Sequence, residues 1–127
     1  MCSETPAAML DLPSTTEAPR LGREFVHSAL CTAHHVTVRE DAELLVSELV
    51  TNAVLHGLPP ITLRVDCDTT ELVVEVSDEA VGPALSPHHT SLERESGRGL
   101  ALLDILSDAW GVDPLDQGKV VWFRLRP

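Results

Sequence analysis

The stretch that decides the fold is Glu48-Leu49-Val50-Thr51-Asn52-Ala53-Val54-Leu55-His56-Gly57. It closes a run, 41–56, in which apolar residues recur at three- and four-residue spacing and no proline intervenes. This spacing predicts a helix that ends at Gly57, ahead of Pro59-Pro60. Glu48 and Asn52 lie roughly 40° apart on one face of the helix. The helix is otherwise apolar nearly all round, which predicts that it is buried.

A carboxylate and a carboxamide inside such a helix are costly to bury unless they meet partners. A metal ion with a phosphate group is one arrangement that would satisfy both side chains. The ordinary alternative is that Glu48 is a solvated charge and that Asn52 is a capping or turn residue. The choice between the two depends on the segments that follow.

The composition indicates one domain with an acidic surface. The chain has 127 residues, with nine Lys and Arg against twenty Asp and Glu, a formal net charge of −11. This charge opposes direct binding to a nucleic-acid backbone or an anionic membrane surface. No apolar run approaches the roughly 20 residues that span a bilayer, and no secretory signal pattern is seen, so a cytoplasmic protein is expected. Cys2, Cys31 and Cys67 are too far apart to indicate a disulfide framework.

The residues before the central helix predict one strand and one helix. Residues 1–7 are expected to be loose, and 8–12 predict a short edge strand. A helix-start pattern, Ser14-Thr15-Thr16-Glu17, is followed by an apolar stripe at helical spacing to about His34. This first helix is expected to serve packing.

Two strands follow the central helix. Apolar and polar residues alternate over 61–68 and, after a tight turn, over 71–78, which predicts a half-buried antiparallel pair. The same alternation places Asp78 on the core side of the second strand. A carboxylate there needs hydrogen-bond donors, and an amino group on a bound base could supply one.

The segment 79–98 has turn-forming Gly and Pro residues and no sustained period. A loop of that length in a small domain is usually functional, and this one is predicted to be a mobile lid. Residues 99–109 then predict a helix with Gly97-Arg98-Gly99 at its amino end. That junction is a predicted anion site, because free N–H groups and the positive end of the helix dipole meet there. The residues expected to face inward are Leu100, Leu103, Ile105 and Leu106.

Two further strands, 110–113 and 119–125, complete the chain, with Val121, Phe123 and Leu125 on the core face. The order of elements is roughly β-α-α-β-β-lid-α-β-β. Antiparallel strands with helices gathered on one face predict an α/β (α+β) two-layer sandwich, with residues 1–127 as a single domain.

Three of these segments together resemble the Bergerat ATP-binding fold of the GHKL family, which includes gyrase, the ninety-kilodalton heat-shock chaperone, sensor histidine kinases and mismatch-repair proteins. The stretch Glu48 to Gly57 is similar to the N box of the family. Asp78-Glu79-Ala80-Val81-Gly82-Pro83 is similar to its first glycine box, normally Asp-x-Gly-x-Gly, and Gly97-Arg98-Gly99-Leu100-Ala101-Leu102-Leu103 to its second. Three ordered boxes are far more specific than a single one. Within the family the likeness is closest to bacterial anti-sigma-factor serine/threonine kinases.

The resemblance implies a role for each matching residue. Asn52 would ligate Mg²⁺. Glu48 would accept the proton of an attacking serine or threonine hydroxyl while the γ-phosphate of ATP passes to a protein. Asp78 would accept a hydrogen bond from the adenine amino group, and Gly82 would leave room for the base.

The resemblance also implies the phosphate contacts and the partners. Arg94 or Arg98 would offset charge on the γ-phosphate, and the sequence leaves that choice open. The partners would be a sigma factor and an anti-sigma-factor antagonist, and the sequence leaves open whether two copies form a homodimer. The residues that would cradle the phosphates through backbone N–H groups are Gly97, Arg98, Gly99 and Leu100.

Two positions depart from the family pattern. Ala80 stands where the first glycine of the first box is expected, and a positive φ there would be strained by its Cβ atom. Lys119 follows Gly118 where many relatives have a hydroxyl residue near the adenine-binding aspartate. One polar contact to the base is therefore expected to be missing.

The leading hypothesis is an ATP-dependent protein serine/threonine kinase that sequesters a sigma factor and phosphorylates its antagonist. The alternative is a non-catalytic nucleotide- or protein-binding regulatory module of the same fold. Glu48 and Asn52 favour the kinase, and Ala80 favours the module.

Other classes of protein fit the sequence less well. A sensor histidine kinase would need a dimerising pair of phosphoacceptor helices, and a gyrase-like ATPase would need a second domain. A zinc site built from Cys31, His34 and His35, or from His88-His89, offers at most three nearby ligands.

Overall fold

The computed structural model describes residues 7–30, 36–68, 70–80 and 97–126, and for residues 36 and 97–100 it describes the backbone alone. The predicted loose start lies outside these ranges except for its last residue. Most of the predicted lid, 81–96, also lies outside, and Gly97 and Arg98 belong to a helix rather than to a loop. In chain order the elements are β1 (Ala8–Leu12), α1 (Ala18–Ala29), a 3-10 turn (Val36–Val38), α2 (Arg39–His56), β2 (Ile61–Cys67), β3 (Leu72–Asp78), α3 (Gly97–Leu106), β4 (Ala109–Pro114) and β5 (Lys119–Leu125).

The five strands form one antiparallel sheet in the order β1-β2-β3-β5-β4. In β2 and β3 every second side chain is buried and the others are half-exposed, as the alternation of the sequence predicts. Val121, Phe123 and Leu125 of β5 are buried on the same face. The predicted edge strand is confirmed as β1, which lies beside β2 at the border of the sheet.

The central helix α2 begins at Arg39, two residues before the predicted start, and its first turn carries Glu40 and Asp41. Negative side chains are favourable there because the positive end of the helix dipole is close. The prediction of a helix buried all round is wrong on one face, where Leu44 is 42% exposed and Leu55 is 64% exposed. A two-layer domain leaves the outer side of its helices uncovered, whatever residues they carry.

The first helix ends earlier than predicted, at Ala29 instead of about His34. Leu30 takes an extended backbone conformation and is buried in the core. α1 lies close against α2 at Gly22, where an added Cβ atom would be 3.3 Å from Val50 Cγ2. The expected packing role of α1 therefore agrees with its contacts.

Helix α3 begins two residues before its predicted start and ends at Leu106 instead of Ala109. Leu103 is fully buried, but Ile105 is 75% exposed, so the inward assignment of Ile105 is wrong. Ile105 follows Leu103 by two residues, which is roughly 200° around the helix. The helix ends because the Asp108 N–H already donates to the Arg124 carbonyl of β5, at 2.9 Å.

The predicted two-layer sandwich is confirmed. α2 contacts α1 and α3, the helices contact the sheet, and one hydrophobic core lies between the two layers. Among the helices of the described residues, none is long and apolar enough to cross a membrane.

Candidate functional site

A cavity lies between α2, the end of β3 and the start of β5. Its volume is about 340 Å³, including the part that opens to solvent. It brings together Asn52 of α2 and Asp78 of β3, which the sequence assigned to one site although they lie on separate elements. Its apolar walls are Leu49, Ala53, Val76 and Val121, and its polar side chains are Asn52, Asp78 and Lys119.

Asn52 contributes an unpaired carboxamide to this cavity. The residue is 5% exposed, and neither Oδ1 nor Nδ2 has a hydrogen-bond partner among the described residues. Leaving such a group unpaired costs about 1–3 kcal/mol. Native proteins seldom bury an amide in this way without a reason. An unpaired amide that lines a cavity is therefore a candidate contact for a ligand.

Glu48 lies one helical turn before Asn52 and is half-buried. The helix places the two side chains roughly 40° apart around its axis. Glu48 lies outside the cavity lining that the described residues define, and it has an interaction partner of its own. It therefore flanks the site on the side of Asn52.

Asp78 is the last residue of β3 and is 4% exposed. Its Oδ1 accepts the N–H of Ala80 at 2.8 Å and the N–H of Leu58 at 3.4 Å. Lys119 Nζ donates to Oδ2 at 2.9 Å and to Oδ1 at 3.2 Å. The donors that a buried carboxylate needs are thus supplied by the protein itself.

Sequence reasoning assigned no function to Lys119. It is the only lysine in the chain, its side chain is 14% exposed, and it lies directly opposite Asp78 in the pairing of β3 with β5. The pattern that could have found it is strand parity, because the alternation that places Val121 and Phe123 on the core face places Lys119 there too. The sequence predicted that one polar contact to the base would be missing at this position. The ammonium group of Lys119 instead places a hydrogen-bond donor inside the cavity there.

Two glycines make room for Asp78. A Cβ atom at Gly57 would lie 2.6 Å from Asp78 Cγ, so the end of α2 can approach the carboxylate only without a side chain there. Gly118 has a φ of 100°, and a Cβ atom there would overlap the carbonyl oxygen of Asp78. Both positions favour glycine, the second for its backbone conformation as well as for space.

Ala80 stands where the first glycine box normally has its first glycine, and its backbone is not strained there. None of the described non-glycine residues has a positive φ, so Ala80 adopts an ordinary backbone conformation. Its N–H closes a short turn onto Asp78 Oδ1. In this conformation alanine supports the position of Asp78 as well as glycine would.

The remaining predicted residues lie at or beyond the limits of the described chain. Gly82 and Arg94 are outside it, as are the histidines and Cys31 that were considered as zinc ligands. Within the described ranges, no group of three or more His, Cys, Asp or Glu could hold a metal ion. Backbone positions are described for the first four residues of α3, which are Gly97, Arg98, Gly99 and Leu100.

An antiparallel sheet covered on one face by helices, with a cavity between the layers that a buried amide and a buried carboxylate line, defines an α+β two-layer domain with a candidate ligand site. Residues 12–125 match the family model of the histidine kinase-like ATPase domain. The chain belongs to that family, and its resemblance to the GHKL proteins is confirmed.

Two known proteins illustrate the relationship. An anti-sigma F factor of Clostridium acetobutylicum is 36% identical over 92 residues, covering 63% of this chain and 63% of that protein. A crystal structure of the RsbU and RsbW domains of a Mycobacterium tuberculosis protein superposes with a TM-score of 0.70 at 20% identity, covering 96% of this chain and 32% of that one. The second likeness supports the fold alone, and the first is a likeness in sequence over 63% of each chain. The chain spans less than the full length of both.

Proposed function

We propose that this domain binds Mg·ATP and acts as a protein serine/threonine kinase of the anti-sigma-factor type. It transfers the γ-phosphate to a hydroxyl group of an anti-sigma-factor antagonist and regulates transcription in the cytoplasm by exchanging the antagonist for a sigma factor. Membership of the ATPase family and the similarity to an anti-sigma F factor support this proposal. The net charge of −11 favours partners with basic surfaces.

The observation that carries the proposal is the buried and unpaired carboxamide of Asn52. Its oxygen is a neutral ligand of the kind that Mg²⁺ accepts beside phosphate oxygens and water. When bound, the ion neutralises charge that develops on the phosphates. The cavity beside Asn52 also holds Asp78, so the residues present fit a metal-bound nucleotide.

The base belongs at the Asp78 end of the cavity. The carboxylate accepts a hydrogen bond from the adenine amino group, and Gly82, beyond the described residues, borders the base in the family pattern. The faces of the ring pack against aliphatic side chains, which removes apolar surface from water. The side chains that provide these walls are Leu49, Ala53, Val76 and Val121.

The phosphates belong at the first turn of α3. The first four N–H groups of a helix have no partner within the helix and are directed toward an anion. In α3 these groups belong to Gly97, Arg98, Gly99 and Leu100. Arg94 or Arg98 offsets the charge of the γ-phosphate.

Glu48 is the proposed general base. The hydroxyl oxygen of the antagonist forms a bond to the γ-phosphorus, and the bond from that phosphorus to the β–γ bridging oxygen breaks, so that ADP leaves. Glu48 takes the hydroxyl proton. Because Glu48 and Asn52 share one helix face, the proton acceptor lies beside the residue that holds the metal ion.

Incubation with Mg²⁺, radiolabelled ATP and a panel of candidate antagonists tests the proposal. We expect label on a serine or threonine of one antagonist, and no label with the Glu48→Gln variant. If ATP binds and no antagonist is labelled, the kinase is excluded.

The alternative is a nucleotide- or protein-binding regulatory module without phosphoryl transfer. The ion pair between Asp78 and Lys119 is compatible with it, because the buried carboxylate has a partner within the protein even when no nucleotide is bound. Ala80 no longer favours the module, since its backbone is unstrained. The same incubation separates the two functions.

A further inference from the structure

The ion pair between Asp78 and Lys119 leaves one donor and one acceptor side by side. An ammonium group has three N–H donors, and two are used by the contacts to Oδ1 and Oδ2 of Asp78. Oδ1 also accepts the N–H groups of Ala80 and Leu58. Among the described residues, Oδ2 accepts from Lys119 alone. A third N–H of Lys119 and a lone pair of Oδ2 therefore remain for a ligand.

We infer that Lys119 recognises the base of the nucleotide together with Asp78. The edge of adenine carries its amino group, a donor, next to N1, an acceptor, and proteins that read an unpaired base commonly bond to this edge. The amino group donates to Asp78 Oδ2, and N1 accepts from Lys119 Nζ. This inference rests on the proposed binding of ATP and adds Lys119 as a specificity-determining residue.

The base would enter from the open side of the ion pair. The space of about 340 Å³ beside the pair includes open solvent. Its aliphatic walls limit water around the pair, which strengthens a hydrogen bond from a charged donor. A neutral base leaves the pair intact, so that no uncompensated charge is buried.

Guanine is the discriminating competitor. It presents an acceptor, O6, next to a donor, the N1–H group, which is the reverse of the order in adenine. Adenine bound as described gives its donor to Asp78, which is 4% exposed, and its acceptor to Lys119, whose side chain is 14% exposed. Guanine held in the orientation of adenine sets O6 against Asp78 Oδ2 and N1–H against Lys119 Nζ. In that orientation the site should distinguish ATP from GTP, and ATP from an analogue that lacks N1.

Isothermal titration calorimetry with the magnesium complexes of ATP, 1-deaza-ATP and GTP tests the inference on the wild type and on Lys119→Met. The loss of N1 should weaken binding to the wild type roughly tenfold, because a hydrogen bond to a charged donor is lost. In Lys119→Met the two adenine nucleotides should bind alike, both roughly tenfold more weakly than ATP binds the wild type. GTP should bind the wild type at least about tenfold more weakly than ATP.

Several results would overturn the inference. Equal affinities of the wild type for ATP and 1-deaza-ATP, or tighter ATP binding by Lys119→Met, would show that Lys119 does not read N1, while ATP binding itself would stand. GTP binding as tight as ATP binding would overturn the assignment to adenine. If the wild type binds none of the three nucleotides, the proposed function fails together with the inference. The analogue comparison uses the unaltered protein, so it remains decisive if Lys119→Met does not fold.

Discussion

Asp78 Oδ2 and Lys119 Nζ lie 2.9 Å apart where the end of β3 meets the start of β5. The carboxylate that sequence patterns assign to the base is thereby paired with the only lysine of the chain. The pair makes this end of the cavity neutral in charge and rich in hydrogen-bonding groups. A strongly acidic protein can thus keep a buried aspartate beside the proposed nucleotide site.

Breaking this pair from one side should lower stability. In Asp78→Ala, Lys119 stays largely buried without its carboxylate, and the N–H groups of Leu58 and Ala80 lose their acceptor. We expect the free energy of unfolding to fall by about 3 kcal/mol, measured by urea denaturation. Adding Lys119→Met should recover part of the loss, because no charge is then left without its partner.

The ion pair between Arg64 and Glu75 is the matched control. Its atoms are also close, at 2.7 Å, but its side chains are 38% and 32% exposed. A double-mutant cycle on this pair should give a coupling free energy below about 1 kcal/mol. Equal coupling in the two pairs would contradict the role given to burial.

Replacing Asn52 by leucine should stabilise the ligand-free protein. The buried amide has no hydrogen-bond partner among the described residues, and leucine fills a similar volume without polar atoms. We expect the free energy of unfolding to rise by about 1 kcal/mol. Thermal denaturation should also show that Mg·ATP raises the melting temperature of the wild type but not of Asn52→Leu. A variant clearly less stable than the ligand-free wild type would mean that the amide is satisfied within the protein.

Glu48→Gln should separate binding from transfer. We expect its affinity for Mg·ATP to stay within about threefold of the wild type, while phosphoryl transfer falls at least about 100-fold with the loss of the proton acceptor. The control is Glu43→Gln on the same helix, where the carboxylate contacts His27 Nδ1 at 3.2 Å. That variant should retain both properties. If Glu48→Gln and Asp78→Asn lose ATP binding equally, the two carboxylates do not have separate roles.

Gly118→Ala should destabilise the protein at the site. The φ of 100° is unfavourable for alanine, and its Cβ atom would overlap the carbonyl oxygen of Asp78. We expect the free energy of unfolding to fall by about 1–3 kcal/mol, together with weaker ATP binding because Asp78 has to move. A variant with wild-type stability and affinity would show that the turn accommodates a side chain.

Local periodicity accounts for most of what the sequence predicts correctly. Alternation in 71–78 places Asp78 on the core face, and helical spacing with Gly57 at its end locates the central helix to within two residues. These predictions are correct because side chains repeat with a fixed period in a strand and in a helix. The spacing of apolar residues therefore shows which positions face the core.

The errors arise where the outcome depends on a neighbouring element. Leu55 and Ile105 are apolar yet exposed, since spacing does not show which side of a helix another layer covers. Helix α3 ends at Leu106 because the N–H of Asp108 donates to the Arg124 carbonyl of β5 instead of continuing the helix. The ion pair of Lys119 with Asp78 depends on the register of β3 with β5, which no pattern within one strand specifies.

Titration of a fluorescent ATP analogue, with and without Mg²⁺, tests most directly whether a metal-bound nucleotide completes the bonding of Asn52 and Asp78. The wild type should bind at least about tenfold more tightly with Mg²⁺ than with a chelator, and Asn52→Ala should lose that difference. Absence of binding to the wild type, or a dependence on Mg²⁺ that is unchanged in Asn52→Ala, would contradict the assignment of this site.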